Sequence, residues 1–531
     1  MFGRDPWKAD EPYSVGMVLN FFRGHDLIVP RVAADPFVEK PPLMYWSGAL
    51  LARASSSVLS VFQGAQLAVL AWVLLAIALV GRLSRRLNHR PAFDWLAPVL
   101  MIGSLGAIEN VHKLTADVPQ MAGAAIALSA LARLARNERH PNWSGVFLGT
   151  GVGIAFLSKG LLVPGVLALT CLAALLVPAY RNRRYAMALV WAGLASLPWL
   201  IVWPLLFWQA SHALFVEWFW NNNFGRFFGF VHLGGERKSY WSDLGNLIAL
   251  TFPASWLALG ALVASLRVEG WRRYLAARPE QTVLWIYVAL FVGTLVASSV
   301  NRDVYALPIF PALAVLGAGG ILSRRVEKIS TAIVMGVMSV LGLFLWVRWG
   351  LRLTGHGHVA AGPIGKWLPL DYPLAFSMGE WLAAVVLLAL WVMAIVRRRE
   401  LGALMLGFAG LTFVWGTLST LLLPWINEAR SYRTPFVQMR EALPPEDRGN
   451  TPGSCVASFF VGESERAMLD YFIDVRPVQI AELDDPTRCN ALLMLDKANK
   501  RFVAPTGWRE VWEGGRAGDD NERFRLLVRA Q

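Results

Sequence analysis

The hydrophobic positions divide the chain into a long apolar part and a polar tail. Between residues 58 and 424, apolar runs of about 20 residues recur, and each can cross a hydrocarbon core of about 30 Å as an α-helix. We interpret these runs as twelve membrane spans, at residues 58–81, 92–111, 118–135, 144–158, 160–179, 185–209, 243–266, 281–300, 304–323, 329–352, 376–396 and 401–424.

The tail has the pattern of a small soluble domain. Short apolar runs rich in β-formers predict strands, and one amphipathic stretch predicts a helix. The predicted strands are Gly453–Val461, Ala491–Leu495 and Glu522–Arg529, and the predicted helix is Glu463–Phe472. The predicted fold is therefore a mostly α, polytopic membrane protein with a small C-terminal α/β domain. Its parts are a first loop with amphipathic helices (1–57), a membrane part (58–424) and the tail (425–531).

Composition supports this class. The chain is 55% hydrophobic and only 16% charged, whereas soluble proteins carry about 25% charged residues. The net charge of +13 comes mostly from arginines between the apolar runs, so it predicts membrane topology and no nucleic-acid partner. The basic connections alternate along the chain, at residues 82–90, 133–139, 181–184, 267–278, 324–328 and 397–399.

The positive-inside rule places those connections in the cytoplasm. Both termini and the remaining connections, at residues 112–117, 159, 210–242, 301–303 and 353–375, then lie outside. No apolar segment or signal peptide precedes the first loop to carry it across. We therefore expect a further membrane helix before residue 1.

The chain has three cysteines, and the sequence leaves open whether two of them form a disulfide. Cys171 lies inside an apolar run and is interpreted as a packing residue. Cys455 and Cys489 lie in the tail, where an oxidising compartment permits a disulfide. Two buried free thiols in the predicted strands fit the same sequence.

Polar residues of different chemistry occur together in the outside loops. Asp10 and Glu11, Lys40, Asp117 and Lys159 all fall on that side. Each has an ordinary explanation as a helix cap, an interfacial anchor or a snorkelling lysine. Their convergence at one membrane face instead favours an anionic amphiphile whose head group reacts there.

The motifs resemble the polyprenyl-phosphate-dependent GT-C glycosyltransferases, the group of aminoarabinose transferases and protein O-mannosyltransferase-like proteins. An Asp-Glu pair at Asp10 is followed by Pro-Arg at residue 30 and by F-x-E-K-P-P-L-x-Y-W, the most specific block. The remaining motifs occur in family order, as T-x-D-x-P (115–119), L-S-K-G (157–160), N-N-x-G-R-F (222–227) and Y-x-L-P (305–308). The family's thirteen spans agree with a helix before residue 1. Val304 stands where the family often has a basic residue, with Arg302 displaced.

The resemblance implies an integral-membrane inverting glycosyltransferase in the bacterial inner membrane, active on the periplasmic face. Its donor is a sugar on polyprenyl (undecaprenyl) phosphate, and its acceptor is lipid A, another glycolipid or a protein. Asp10 would activate the acceptor hydroxyl. The other implied residues are catalytic Asp117 and Glu11, the phosphate-binding set Lys40, Arg226, Tyr305, Lys159 and Arg302, and Glu39 with His232 for a divalent metal.

Two other classes remain open. A lipid or sugar transporter or flippase needs charged groups near the bilayer midplane, and the spans are nearly free of them. A non-catalytic scaffold leaves the motifs unexplained. An enzyme predicts that Asp10, Lys40, Asp117 and Tyr305 meet around one cavity open to the membrane.

Overall fold

The structure is a computed structural model. It describes residues 3–89, 94–136, 140–230, 239–298, 302–320, 324–356, 368–369, 372–482, 489–496, 502–519 and 521–530.

The first loop folds into buried secondary structure. Helix α1 (Asp10–Arg23) begins with two carboxylates, which are favourable at the positive end of a helix dipole. It ends at Gly24, whose φ of +75° is the left-handed conformation of a helix stop. Strands β1 (Arg31–Val32) and β2 (Asp35–Pro36) pair antiparallel, and helix α2 (Leu43–Ala54) follows.

Helices make up the middle of the chain. They are α3 (Val61–Leu87), α4 (Leu96–Ile102), α5 (Leu105–Asn110), α6 (Asp117–Leu134), α7 (Pro141–Lys159), α8 (Leu162–Ala174), α9 (Arg183–Ala210), α10 (His212–Val216), α11 (Arg226–Phe228), α12 (Tyr240–Leu250), α13 (Ala254–Glu269), α14 (Trp271–Ala277), α15 (Pro279–Ala297), α16 (Phe310–Gly317), α17 (Arg324–Leu353), α18 (Met378–Val396), α19 (Arg398–Thr417) and α20 (Leu423–Arg430).

The count of twelve spans is not confirmed, although every predicted span coincides with helix along most of its length. Within the described residues, six helices are long and apolar enough to cross a membrane, or seven if α12 and α13, bent by 92°, form one span. The second predicted span divides into α4 and α5. At these two breaks the Leu105 backbone N–H donates to the Phe252 carbonyl at 3.0 Å, so protein rather than lipid satisfies the interrupted backbone.

The tail forms a five-stranded sheet flanked by two helices. The strands are β3 (Val456–Phe459), β4 (Val478–Gln479), β5 (Ala491–Asp496), β6 (Trp508–Gly514) and β7 (Arg523–Arg529); the helices are α21 (Arg433–Ala442) and α22 (Glu463–Ile473). The strand order is β4-β3-β5-β7-β6. Strand β3 pairs parallel with β4 and β5, and β7 pairs antiparallel with β5 and β6. The three predicted strands are present as β3, β5 and β7, whereas β4 and β6 were not predicted.

A disulfide joins Cys455 to Cys489, with Cα atoms 4.8 Å apart. The two residues precede the neighbouring parallel strands β3 and β5, in which Val456 lies opposite Ala491. The pairing of the strands therefore brings both cysteines to one edge of the sheet. Cys171 is a buried free thiol.

The tail lies against the first loop, close to Asp10 and Glu11. Helix α22 packs directly on α1. Lys8 donates to Glu465 and to Glu522, and Arg23 donates to both oxygens of Asp470 at 2.7 and 2.9 Å. Arg466 forms an ion pair with Asp35. These pairs join segments more than 400 residues apart, which leave no local pattern in the sequence.

The first prediction concerns this contact. A Cβ on Gly16 would lie 2.9 Å from the Cβ of Ala467, so Gly16→Ala forces α22 away from α1. We expect the free energy of unfolding to fall by about 1–3 kcal/mol, as for other overpacked sites, measured as a lower thermal midpoint in detergent. Gly193→Ala is the matched control, because a Cβ there meets nothing within 4 Å. Equal midpoints for the two variants would contradict the tight contact.

The second prediction concerns the disulfide. Thiol labelling of the unfolded, unreduced protein should modify Cys171 alone, and reduction should expose all three cysteines. Labelling of three cysteines before reduction would show that the tail thiols are free. Cys171→Ser, labelled without reduction, provides the blank.

Candidate active site

Asp10 lies in the first turn of α1 and is held by two donors. Arg302 donates to both of its oxygens at 2.7 Å, and the Tyr13 hydroxyl donates to one of them at 2.6 Å. Burial raises the pKa of this carboxyl, but nearby Lys40 and Arg302 outweigh burial and lower the pKa to about 2. The carboxylate is therefore ionised at any physiological pH.

Lys40 is buried beside this pair. Its ammonium donates to the Tyr13 hydroxyl and lies 4.5 Å from the centroid of the Tyr13 ring. Burial lowers the pKa of Lys40, but the fields of neighbouring groups, including Asp10, Glu39 and Asp117, raise it above its usual value. The cation is retained in a site that is almost closed to water.

A second acid–lysine pair lies next to the first. Asp117 begins α6, Lys159 ends α7, and the two form an ion pair in which the carboxylate is 2% exposed. The Lys159 ammonium also lies 3.6 Å from the centroid of the Tyr305 ring. Each lysine of the site therefore makes a cation–π contact with a tyrosine ring. Such a contact stabilises the cation by roughly 2 kcal/mol where water is excluded.

The chain turns sharply after Lys159, and the turn needs a glycine. Gly160 has a φ of +88°, and a Cβ there would lie 2.4 Å from the Asn223 side-chain oxygen. That oxygen accepts from the Leu161 backbone N–H at 3.3 Å. Asn222 donates to the Val38 carbonyl at 3.4 Å. The two asparagines thus connect the turn to the segment that carries Glu39 and Lys40.

Glu11 points away from Asp10 into the protein. Arg4 donates to both of its oxygens, and the backbone N–H groups of Trp7 and Leu114 donate at 3.3 and 3.1 Å. The carboxylate joins α1 to the segment immediately before Asp117. The geometry favours a positioning role for Glu11 over the predicted catalytic one.

The polar groups border one cavity of about 530 Å³. Lys40, Lys159 and Tyr305 line it, and Asp117 contacts Lys159. Asp10 lies behind this lining, because it bonds Tyr13, whose hydroxyl accepts from Lys40. Leu162, Val166 and Leu169 extend the lining along one face of α8, completed by Phe227 and Phe228. Leu169 and Phe228 are 51% and 60% exposed. The cavity therefore runs from buried charges to a surface of membrane-type apolar side chains, as the enzyme hypothesis requires.

Two predicted residues lie outside the described part of the chain. They are His232 and the side chain of Arg226. Glu39 lines the cavity. No group of three or more His, Cys, Asp or Glu residues close enough to hold a metal occurs among the described residues. The predicted metal pair stays a prediction, and no chemical step below depends on it.

Sequence reasoning missed Tyr13, Asn222 and Asn223 as site residues. Tyr13 follows Asp10 by three positions, the spacing at which helical side chains meet, so a signal was present. Arg302, predicted to bind phosphate, instead bonds Asp10 in this structure.

A family model and solved structures match this chain. Residues 39–208 match the family model described as dolichyl-phosphate-mannose-protein mannosyltransferase. No curated protein matches the chain. The family match begins at the Glu39–Lys40 pair and includes Asp117 and Lys159, so it contains both lysines of the site.

Solved structures match almost the whole chain. ArnT from Cupriavidus metallidurans bound to undecaprenyl phosphate has a TM-score of 0.65 at 15% identity, over 98% of this chain and 94% of ArnT. The chain has the GT-C fold. The apo state of the same ArnT gives a TM-score of 0.65 at 16% identity, over 99% of this chain and 94% of ArnT. The expected resemblance to GT-C glycosyltransferases is confirmed, and the fold is that of a polytopic membrane protein.

The third prediction concerns Arg302 and Asp10. Arg302→Gln should lower the free energy of unfolding by about 1 kcal/mol at pH 7, a modest value because Arg302 is partly exposed. The pKa of Asp10 is depressed in the folded protein, so the pair stabilises above the usual pKa of 3.8 and stops stabilising as pH falls towards 2. The difference in the free energy of unfolding between wild type and Arg302→Gln should therefore vanish as the pH falls from 3.8 to 2, as measured by thermal unfolding. Lys113→Gln, which removes an exposed pair with Glu109, should differ little from wild type. An Arg302→Gln difference that persists below pH 2 would contradict the assignment.

Proposed function

We propose that the protein transfers a sugar from a polyprenyl phosphate to an acceptor hydroxyl or phosphate at the extracytoplasmic membrane surface. The observation that carries this proposal is the cavity with two lysines at one end and an aliphatic and aromatic lining at the other. Such a cavity fits an amphiphile with a phosphate at the boundary between head and tail.

Lys40 and Lys159 are the proposed phosphate ligands. Both ammoniums border the cavity and contact tyrosine faces, which stabilise a cation without occupying its hydrogen-bond donors fully. The apolar stripe along α8 would hold the first prenyl units. ArnT, whose fold this chain shares, has been crystallised with undecaprenyl phosphate, which supports a polyprenyl carrier.

Asp10 is the proposed acceptor for the proton of the attacking hydroxyl. The acceptor oxygen attacks C1 of the sugar, the C1–O bond to phosphate breaks, and the polyprenyl phosphate leaves with that electron pair. Attack from the opposite side inverts the anomeric configuration. A carboxylate with a pKa of about 2 is a weak base, so it takes the proton as the new bond forms rather than before.

Asp117 and Glu11 have supporting roles in this mechanism. Asp117 orients Lys159 through their ion pair. Glu11 fixes the spacing between α1 and the segment before Asp117 through its bond to the Leu114 N–H. The identity of the sugar and the choice among lipid A, another glycolipid and a protein are the variables of the experiment below.

The fourth prediction tests the reaction. Asp10→Asn should abolish transfer in vesicles that contain the donor, because the amide cannot accept the proton, while binding of polyprenyl phosphate persists. Mass spectrometry of envelope lipids and proteins from a deletion strain identifies the acceptor to supply. Asp303→Asn, an exposed acid that accepts from Asn246 at 2.6 Å, is the control. Turnover near wild type in Asp10→Asn would remove Asp10 from the mechanism.

The fifth prediction tests the phosphate site. Lys40→Ala should weaken binding of polyprenyl phosphate without sugar about tenfold or more, the loss expected for one charge-assisted hydrogen bond. Arg226→Ala tests in the same assay whether this arginine, also predicted from the sequence to bind the phosphate, contributes to the affinity. Lys113→Ala, which removes a lysine outside the cavity lining, should leave the affinity unchanged. If neither Lys40→Ala nor Lys159→Ala changes the affinity, the phosphate binds elsewhere.

A further inference from the structure

A second and larger cavity opens among helices α3, α6 and α7. Its volume is about 1010 Å³, and it shares no lining residue with the candidate active site. Helix α6 connects the two regions, since Asp117 begins it and Arg133, near its end, lines the second cavity. Arg133 follows Asp117 by sixteen positions, which correspond to about 24 Å of helix, most of a hydrocarbon core. The second cavity therefore lies towards the opposite membrane face.

The lining changes from apolar to basic along each helix. On α3, Leu75 and Leu79 precede Arg82 and Arg86 at spacings of one or two turns, which places them on one face. On α6, Ile126 precedes Arg133 by two helical turns, so these side chains also share one face. Phe147 of α7, half exposed, borders the apolar part. Two helices thus present aliphatic side chains towards the membrane interior and guanidinium groups towards its surface.

The described residues that line the basic end include no carboxylate. The cavity lining contains Arg82, Arg85, Arg86 and Arg133. Across the described residues, Arg82 and Arg85 form no ion pair or hydrogen bond. The buried Ser129 hydroxyl, which also lines the cavity, has no hydrogen-bond partner among those residues. A group that accepts hydrogen bonds and carries negative charge would satisfy all three.

We propose that this cavity binds the phosphate headgroup of an anionic phospholipid in the leaflet opposite the candidate active site. Guanidinium forks bind phosphate oxygens bidentately, and basic pockets between membrane helices are a recurring type of lipid headgroup site. The acyl chains lie along Leu75, Leu79 and Ile126. A free anion would use the arginines but leave the aliphatic part of the cavity unfilled, so the shape favours a lipid.

The test is lipid binding to the purified full-length protein, followed by native mass spectrometry. Dioleoyl phosphatidylglycerol should bind at one site about tenfold or more tightly than dioleoyl phosphatidylcholine, and Arg82→Gln/Arg85→Gln should remove that preference. Arg82→Lys/Arg85→Lys, which keeps both charges, should retain part of it. The control is Arg272→Gln/Arg273→Gln, which removes two exposed arginines of α14 outside the cavity and should preserve the preference.

Three outcomes would overturn the proposal. An unchanged preference in Arg82→Gln/Arg85→Gln would exclude these arginines, provided that its thermal midpoint matches wild type. An equal loss in the α14 control would show that net surface charge alone attracts the lipid. Displacement of phosphatidylglycerol by inorganic phosphate at equal concentration would make the cavity a free-anion site. None of these results bears on sugar transfer, which the Asp10 and Lys40 variants test separately.

Discussion

The burial of the Glu11 carboxylate constrains the arrangement of the whole candidate site. It is 2% exposed, and a charge so far from water is tolerated only when it is fully paired. Its partners include Arg4 and the backbone N–H groups of Trp7 and Leu114. Asp10 is the neighbour of Glu11 in the sequence, and Asp117 follows Leu114 by three residues. The bonds of Glu11 therefore fix the distance between Asp10 and Asp117, which belong to different helices.

The tail imposes a second constraint on the same helix. Helix α22 lies against α1, with Ala467 at Gly16 and Glu465 at Lys8. Helix α1 is thus held between membrane helices on one side and the sheet domain on the other. Asp10 is positioned by a buried, doubly supported helix rather than by an exposed loop. Preorganisation of this kind fits a reaction in which a weak base must meet a hydroxyl in one geometry.

Much of the site was predictable because it follows from topology. Lys40, Asp117, Lys159 and Tyr305 occupy helix ends or loops that the arginine pattern places on one face, and they converge in the structure. The pairing of Arg302 with Asp10 was not predicted, since contacts across 292 residues leave no trace in local spacing. The count of twelve spans was not confirmed for a related reason. Hydropathy records apolar length, and it does not record where a helix breaks inside an apolar run.

The two tyrosine faces beneath Lys40 and Lys159 have a consequence for product release under the proposed function. A donor phosphodiester carries one negative charge, whereas the monophosphate left after transfer carries close to two at neutral pH, because its second pKa is about 6. Ammoniums held in place on aromatic rings attract the spent carrier more strongly than the loaded one. Under the proposed function, the spent carrier therefore competes with the donor for the site, and its removal by the membrane favours the next round of transfer.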